Sequence, residues 1–152
     1  ILGGPNDGGV VSIQNEYSPR YRGEQDVLDK CTALGIAFLP WSPLGGAAQA
    51  GEVGSRYSDF ASVATEVGAT AQEVVLAWLL ALTPVMIPIP GATKLGTVDS
   101  IVRSSALKLT SAQVDRLTAA DSPNESLFPD AKPRTRNLLR NGTEKVGSGS
   151  AF

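Results

Sequence analysis

The stretch GIAFLPWSPLGG (residues 35–46) governs how the rest of the chain is read. Residues 36–42 are a short apolar run of strand length, of the kind buried on both faces of a parallel sheet. The run stops abruptly at Trp41, Ser42 and Pro43, and Gly45 and Gly46 follow. VMIPIPGATK (residues 85–94) makes the same move: apolar strand, proline, glycine, hydroxyl, cation. Both stretches bring unusual chemistry to the point where a strand becomes a loop.

Working outward, VVSIQNEY (residues 10–17) carries β-branched residues in loose alternation and reads as a first strand. EQDVLDKCTALG follows, with Val27, Leu28, Cys31 and Leu34 on one helical face and Gly35 at the C′ position. After the small-residue loop 43–58, Phe60, Val63, Ala64 and Val67 mark one side of a helix ended by Gly68. Thr70 and Glu73 form a capping box ahead of VVLAWLLAL, a helix apolar nearly all round and so deeply packed. Residues 85–89 are the third strand. A weaker helix follows, with Val98, Ile101 and Val102 as its apolar points, and Thr110 with Gln113 caps another. From Ser122 onward Pro, Ser, Gly, Asn and charge dominate, and residues 122–152 read as an irregular, flexible tail. Its Arg and Lys cluster is read as solvated rather than as an interaction arm.

The rhythm is β-α-β-α-α-β-α-α. Strands separated by helices pair in parallel through right-handed crossovers. Three such strands leave open hydrophobic edges, so the sheet is expected to continue into missing sequence or another chain. A barrel of eight βα units takes roughly 250 residues. The expected fold is therefore α/β: a partial TIM (β/α)8 barrel of three parallel βα units plus a C-terminal helix, over residues 1–121.

Composition narrows the function. The chain has 152 residues, a formal net charge of −2, one cysteine and no histidine. Such a charge offers no basic field for nucleic acid. No apolar run reaches the roughly 20 residues that span a bilayer. The first residues lack the features of a signal peptide, and a cytoplasmic location is expected. The chain does not begin with Met, and its true N-terminus is expected upstream. Without histidine, Ser-His-Asp triads and His-based acid–base chemistry are excluded within this chain, and no metal site is expected. Cys31 is read as a small apolar helix residue.

In parallel α/β sheets, ligands sit at the C-terminal ends of strands. Gln14, Trp41, Ser42, Pro43, Leu44, Gly45 and Gly46 fall there, as do Gly91, Thr93 and Lys94. An indole offers a flat π-face, glycines let backbone N–H groups approach oxygens, and a helix start at Thr93–Lys94 favours an anion. The order aromatic, pyrophosphate, phosphate suits a nicotinamide dinucleotide. Glycines at 45, 46, 51 and 54 give no G-x-G-x-x-G, and no P-loop is present. Arg56 and Tyr57 are read either as a clasp over a pyrophosphate or as plain surface.

VSIQNEYSP, GIAFLPWSPLGG and IPIPGATK, in this order and spacing, resemble three consecutive motifs of the aldo-keto reductase family, and TAQEVVLAWLL resembles its penultimate large helix. The resemblance covers about residues 8 to 121 and places the three strands sixth, seventh and eighth in the barrel. It implies that Gln14 bonds the nicotinamide carboxamide and Trp41 stacks on the nicotinamide ring. It implies that Ser42, Pro43, Leu44, Gly45 and Gly46 wrap the pyrophosphate, and that Gly91, Thr93 and Lys94 hold the adenosine 2′-phosphate of NADPH (NADP+). Thr97 and Ser100 match positions around the adenine and its ribose phosphate. The substrate implied is a small carbonyl compound.

Departures from the family pattern bear on that reading. Arg often stands where this chain has Lys94, and Lys keeps the charge but loses the planar fork. A Glu-Asn pair often stands where this chain has Ser100 and Ile101, and Ile101 cannot bond an adenine edge. The family's catalytic Asp, Tyr, Lys and His come from its first four strands, and none of them is assigned here. Tyr17 and Tyr21 are not candidates for the missing acid. The alternatives to a reductase half are a non-catalytic NADP(H)-binding or partner-binding subunit, and a truncated fragment inactive alone.

Overall fold

The computed structural model describes residue 6 and residues 8–129. Strand β1 (Ser12–Glu16) pairs in parallel with β2 (Ala37–Trp41), in a register that sets Ile13 opposite Phe38 and Glu16 opposite Trp41. Helix α1 (Gln25–Leu34) makes the crossover. Residues 85–89 lie along the other side of β2. Phe38 N donates to Val85 O at 2.8 Å and Ile87 N to Phe38 O at 2.8 Å. The expected third strand is reduced to an isolated parallel bridge, Phe38 with Met86. The reason is proline: Pro40 has no N–H to donate for the next rung, although Ile89 N still donates to Pro40 O at 3.3 Å. The order is nonetheless β1, β2, then 85–89, with β2 central.

All the helices lie on one face of this sheet. That face carries Ile13, Tyr17, Phe38 and Met86, which pack with Leu28 and Cys31 of α1 and with helices α3 (Ser58–Val67), α4 (Ala71–Leu82) and α6 (Ser111–Ala119). Trp78 is wholly buried at the centre, as expected. Tyr17 stacks on it at 6.2 Å, Phe60 meets it edge-on at 5.4 Å, and its Nε1 donates to Thr118 Oγ1 at 3.0 Å. Tyr17, just past the end of β1, is thus a core residue.

Local signals form as read. Thr70 with Glu73 and Thr110 with Gln113 make complete capping boxes, and Gly35 and Gly68 end their helices in the left-handed conformation. Leu34, expected on the buried face of α1, is exposed, because the chain turns at Gly35 and Ile36 takes the buried place instead. Helix α5 (Leu95–Ala106) turns Ile101 toward the core, but Val98 and Val102, expected as its apolar points, are exposed together with Leu95. Among the described residues α5 packs against α4 on one side only. The region read as a small-residue loop holds a 3-10 turn (Ala50–Glu52) and a short helix α2 (Val53–Arg56) with Val53 buried. Gly54 lets α2 approach α4: a Cβ there would sit 3.5 Å from the Ala71 methyl.

Residues 122–128 carry no helix or strand, yet they are tied to the β1 end of the molecule. Ser122 Oγ donates to Arg20 O, Arg22 N to Asn124 Oδ1, and Arg20 Nε to Glu125 O. Ser126 and Leu127 reach Glu16. The Arg and Lys cluster beyond residue 130 lies outside the described residues. Among the described residues, no single helix is long and apolar enough to cross a membrane.

Candidate functional site

The pleat and the register put Gln14, Glu16, Leu39 and Trp41 on the face opposite the helices. Ile87 and Ile89 join them there, both exposed. Gln14 is exposed and Trp41 half-buried, on adjacent strands one pleat apart. The Trp41 indole is met by the ring of Phe128, with centroids 5.4 Å apart and planes at 58°.

After Trp41 the backbone turns sharply. Ser42 adopts a positive φ of 49°, Gly45 N donates to Ser42 O at 2.8 Å, and Gly45 and Gly46 stand at φ of 82° and 92°. A non-glycine residue in this region is held there by its surroundings at a cost of about 1–3 kcal/mol. This turn forms one wall of a cavity of about 560 Å³. Ser42, Pro43, Leu44 and Gly46 line that wall, and Gly91, Thr93 and Thr97 line the other. The second wall is the start of α5. Lys94 is its exposed N-cap residue, with no side-chain cap bond. Thr97 N donates to Lys94 O at 3.0 Å, and the dipole at this helix start favours an anion. Gly45 and Lys94 flank the cavity without lining it.

A second cavity of about 460 Å³ continues from the first, sharing Leu44, Gly91 and Thr97 and adding Ser100, Ile101 and Arg103. Here the sequence reading missed a network. Ser100 Oγ donates to the buried Glu73 Oε1 at 3.0 Å, and Arg103 Nε donates to the same oxygen at 2.9 Å. Glu73 Oε2 accepts Thr70 N at 2.9 Å. Burial alone would push the Glu73 carboxyl up; the bonds from the Thr70 backbone, Ser100 and Arg103 outweigh it and hold it below its ordinary value. Ser100 is thus already engaged when its oxygen faces the cavity. The capping box was readable in the sequence, but nothing local links position 73 with 100 and 103.

Twelve site residues were expected from the sequence, and they fall into three places. Gln14 and Trp41 lie on the bare sheet face, the loop and α5 residues around the first cavity, and Ser100 at the second. Arg56 lies away from these, its Nε donating to Glu52 at 2.7 Å, while Tyr57 packs edge-on to Phe60. Tyr17 donates to Gln25 from the core, and burial raises its phenol above the ordinary value. Burial likewise raises the Cys31 thiol. Among the described residues, no three His, Cys, Asp or Glu side chains gather as a metal site.

An α/β sheet with helices on one face and a loop-lined groove at its strand ends is an arc of a (β/α)8 barrel. The chain belongs to the aldo/keto reductase family, whose profile matches residues 6–122. It is similar to an uncharacterised oxidoreductase of Schizosaccharomyces pombe, 34% identical over 102 residues that cover 67% of this chain and 32% of that protein. It is also similar to pyridoxine 4-dehydrogenase of Escherichia coli, 33% identical over 101 residues, 66% of this chain and 34% of that protein. The chain spans about a third of the length of these curated relatives. In fold it matches an aldo/keto reductase of Klebsiella pneumoniae solved with NADP and acetate, with a TM-score of 0.62 and 22% identity, over 70% of this chain and 38% of that one.

Proposed function

We propose that this chain is the cofactor-binding part of an NADPH-dependent aldo-keto reductase that reduces an aldehyde or ketone in the cytoplasm. The observation that carries the reading is the first cavity, walled by the Ser42–Gly46 turn and by the start of α5, which suits a pyrophosphate. The residues present fit the cofactor: glycines at positive φ expose backbone N–H groups, the helix start favours an anion, and Lys94 adds a cation beside it. Trp41 and Gln14 would hold the nicotinamide end, and Thr93, Lys94 and Thr97 the phosphate of the adenosine. When bound, NADPH supplies hydride for the carbonyl carbon. This chain's part is to orient the ring, because a fixed geometry spares the reaction much of its entropic barrier.

The proton for the carbonyl oxygen comes, in this reading, from residues upstream of the chain. The chain has no histidine, and Tyr17 is spent on the core and on Gln25. The rest of the barrel would come from upstream sequence or from another chain, in keeping with the third of their relatives' length that the matches span.

Intrinsic fluorescence tests the reading. The molecule holds two tryptophans, Trp41 at the proposed site and Trp78 in the core. Adding NADPH is expected to quench emission, Trp41→Ala to remove that response, and Trp78 emission to persist. Folded protein that shows no quenching overturns the cofactor assignments.

A further inference from the structure

Glu16 is buried, with 4% of its surface exposed, yet it stands on the sheet face that no helix among the described residues covers. Its partners are the segment 122–128. Oε2 accepts the Ser126 hydroxyl at 2.7 Å, and the Leu127 amide reaches both oxygens, at 3.0 and 3.1 Å. The next two side chains reach the groove, Leu127 over the Ser42–Gly46 turn and Phe128 at the proposed ring end. Leu127 lies so close over Gly46 that a Cβ there would be 3.2 Å from its Cδ1, and Phe128 meets the Trp41 ring. Phe128 stays largely exposed, so apolar burial does not account for its place. The register sets Glu16 directly opposite Trp41.

We propose that Glu16 is a positioning residue: it seats residues 126–128 so that Phe128 holds the Trp41 indole in the orientation that takes the nicotinamide ring. The proposal rests on the cofactor reading above and adds to it a residue and a segment. Glu16 touches no cofactor itself; it acts through Leu127 and Phe128. A carboxylate is suited to this task, because it is acceptor-only and satisfies a hydroxyl and an amide at once.

The test compares NADPH with 2′,5′-ADP, which carries the adenosine phosphates but no nicotinamide, using the full chain. Loss of a charged acceptor for a half-buried pair of donors is worth about tenfold in affinity where it acts. Glu16→Ala is therefore expected to weaken NADPH binding about tenfold and to leave 2′,5′-ADP binding unchanged. Glu16→Gln, which keeps one acceptor, is expected to restore part of the difference. Phe128→Ala, at an exposed position that cannot unfold the core, is expected to repeat the selective loss and to change Trp41 emission in the free protein. Equal weakening of both ligands by Glu16→Ala, or no effect of Phe128→Ala on NADPH, overturns the proposal. If the unsubstituted chain binds 2′,5′-ADP and NADPH with the same affinity, the ring end is not a site, and the proposal falls while the phosphate site stands. If it binds neither, the cofactor reading itself fails.

Discussion

Single residues decide the shape of the loop at the groove. Gly46 sits at φ of 92° with Leu127 pressed over it. Gly46→Ala meets both a left-handed backbone and a close side chain, and is expected to destabilise the fold by about 1–3 kcal/mol, read as a lower urea midpoint. Unchanged stability would mean that the turn relaxes. The mutation touches no residue of the buried core, so the effect reports on the turn and on Leu127 above it. Ser42 shows what was hidden at this scale: its positive φ follows from the geometry between Trp41 and Gly45, and serine by itself announces nothing. Gly45 and Gly46 did announce themselves, because only glycine enters that region freely. Glu16 was visible as a strand-end carboxylate and nothing more, since its partners are over a hundred residues away.

Elements were legible where their signals are local. Both capping boxes and both left-handed glycine ends form as read, each fixed within four residues. The third strand was legible in place but not in extent, because Pro40 on its neighbour removes a rung that a single-strand pattern cannot reveal. Of the apolar points read in α5, Ile101 packs against the core while Val98 and Val102 are exposed. The start of α4 carries the clearest test. Thr70→Ala removes the acceptor for the Glu73 amide and is expected to cost about 1 kcal/mol. Glu73 also sets a pH dependence. Its folded-state value is lowered, so its contribution is complete above the ordinary carboxylate value and is lost as pH falls through the lowered one. Urea midpoints between about pH 6 and pH 3 should fall for the native chain and fall less for Glu73→Gln.

At the scale of the whole molecule, helices cover the sheet on one face only among the described residues. Ile87 and Ile89 on the open face, and Leu95, Val98 and Val102 on α5, are exposed apolar side chains beside an unpaired strand edge. Exposed apolar surface with a free edge drives association. The chain alone is expected to bind a hydrophobic dye and to elute as oligomers, and Ile87→Lys to reduce both without loss of helix content. A monomer that binds no dye would show that the open face is self-sufficient. The parallel pairing of β1 with β2 through a helix was legible in the sequence because the strand–helix rhythm is regular, whereas the third expected strand is present only as the Phe38–Met86 bridge. The covering of residues 122–128 over the strand ends was not legible, because the residues that hold them are scattered among loops and charges with no period. That covering has a consequence in time. The Glu16–Ser126 bond closes a loop of 110 residues, so its ordering entropy falls due only after the helices have brought the two ends together. The seat of the Trp41 indole is therefore expected to form late in folding and to open early under native conditions, which hydrogen exchange at the Leu127 amide would reveal.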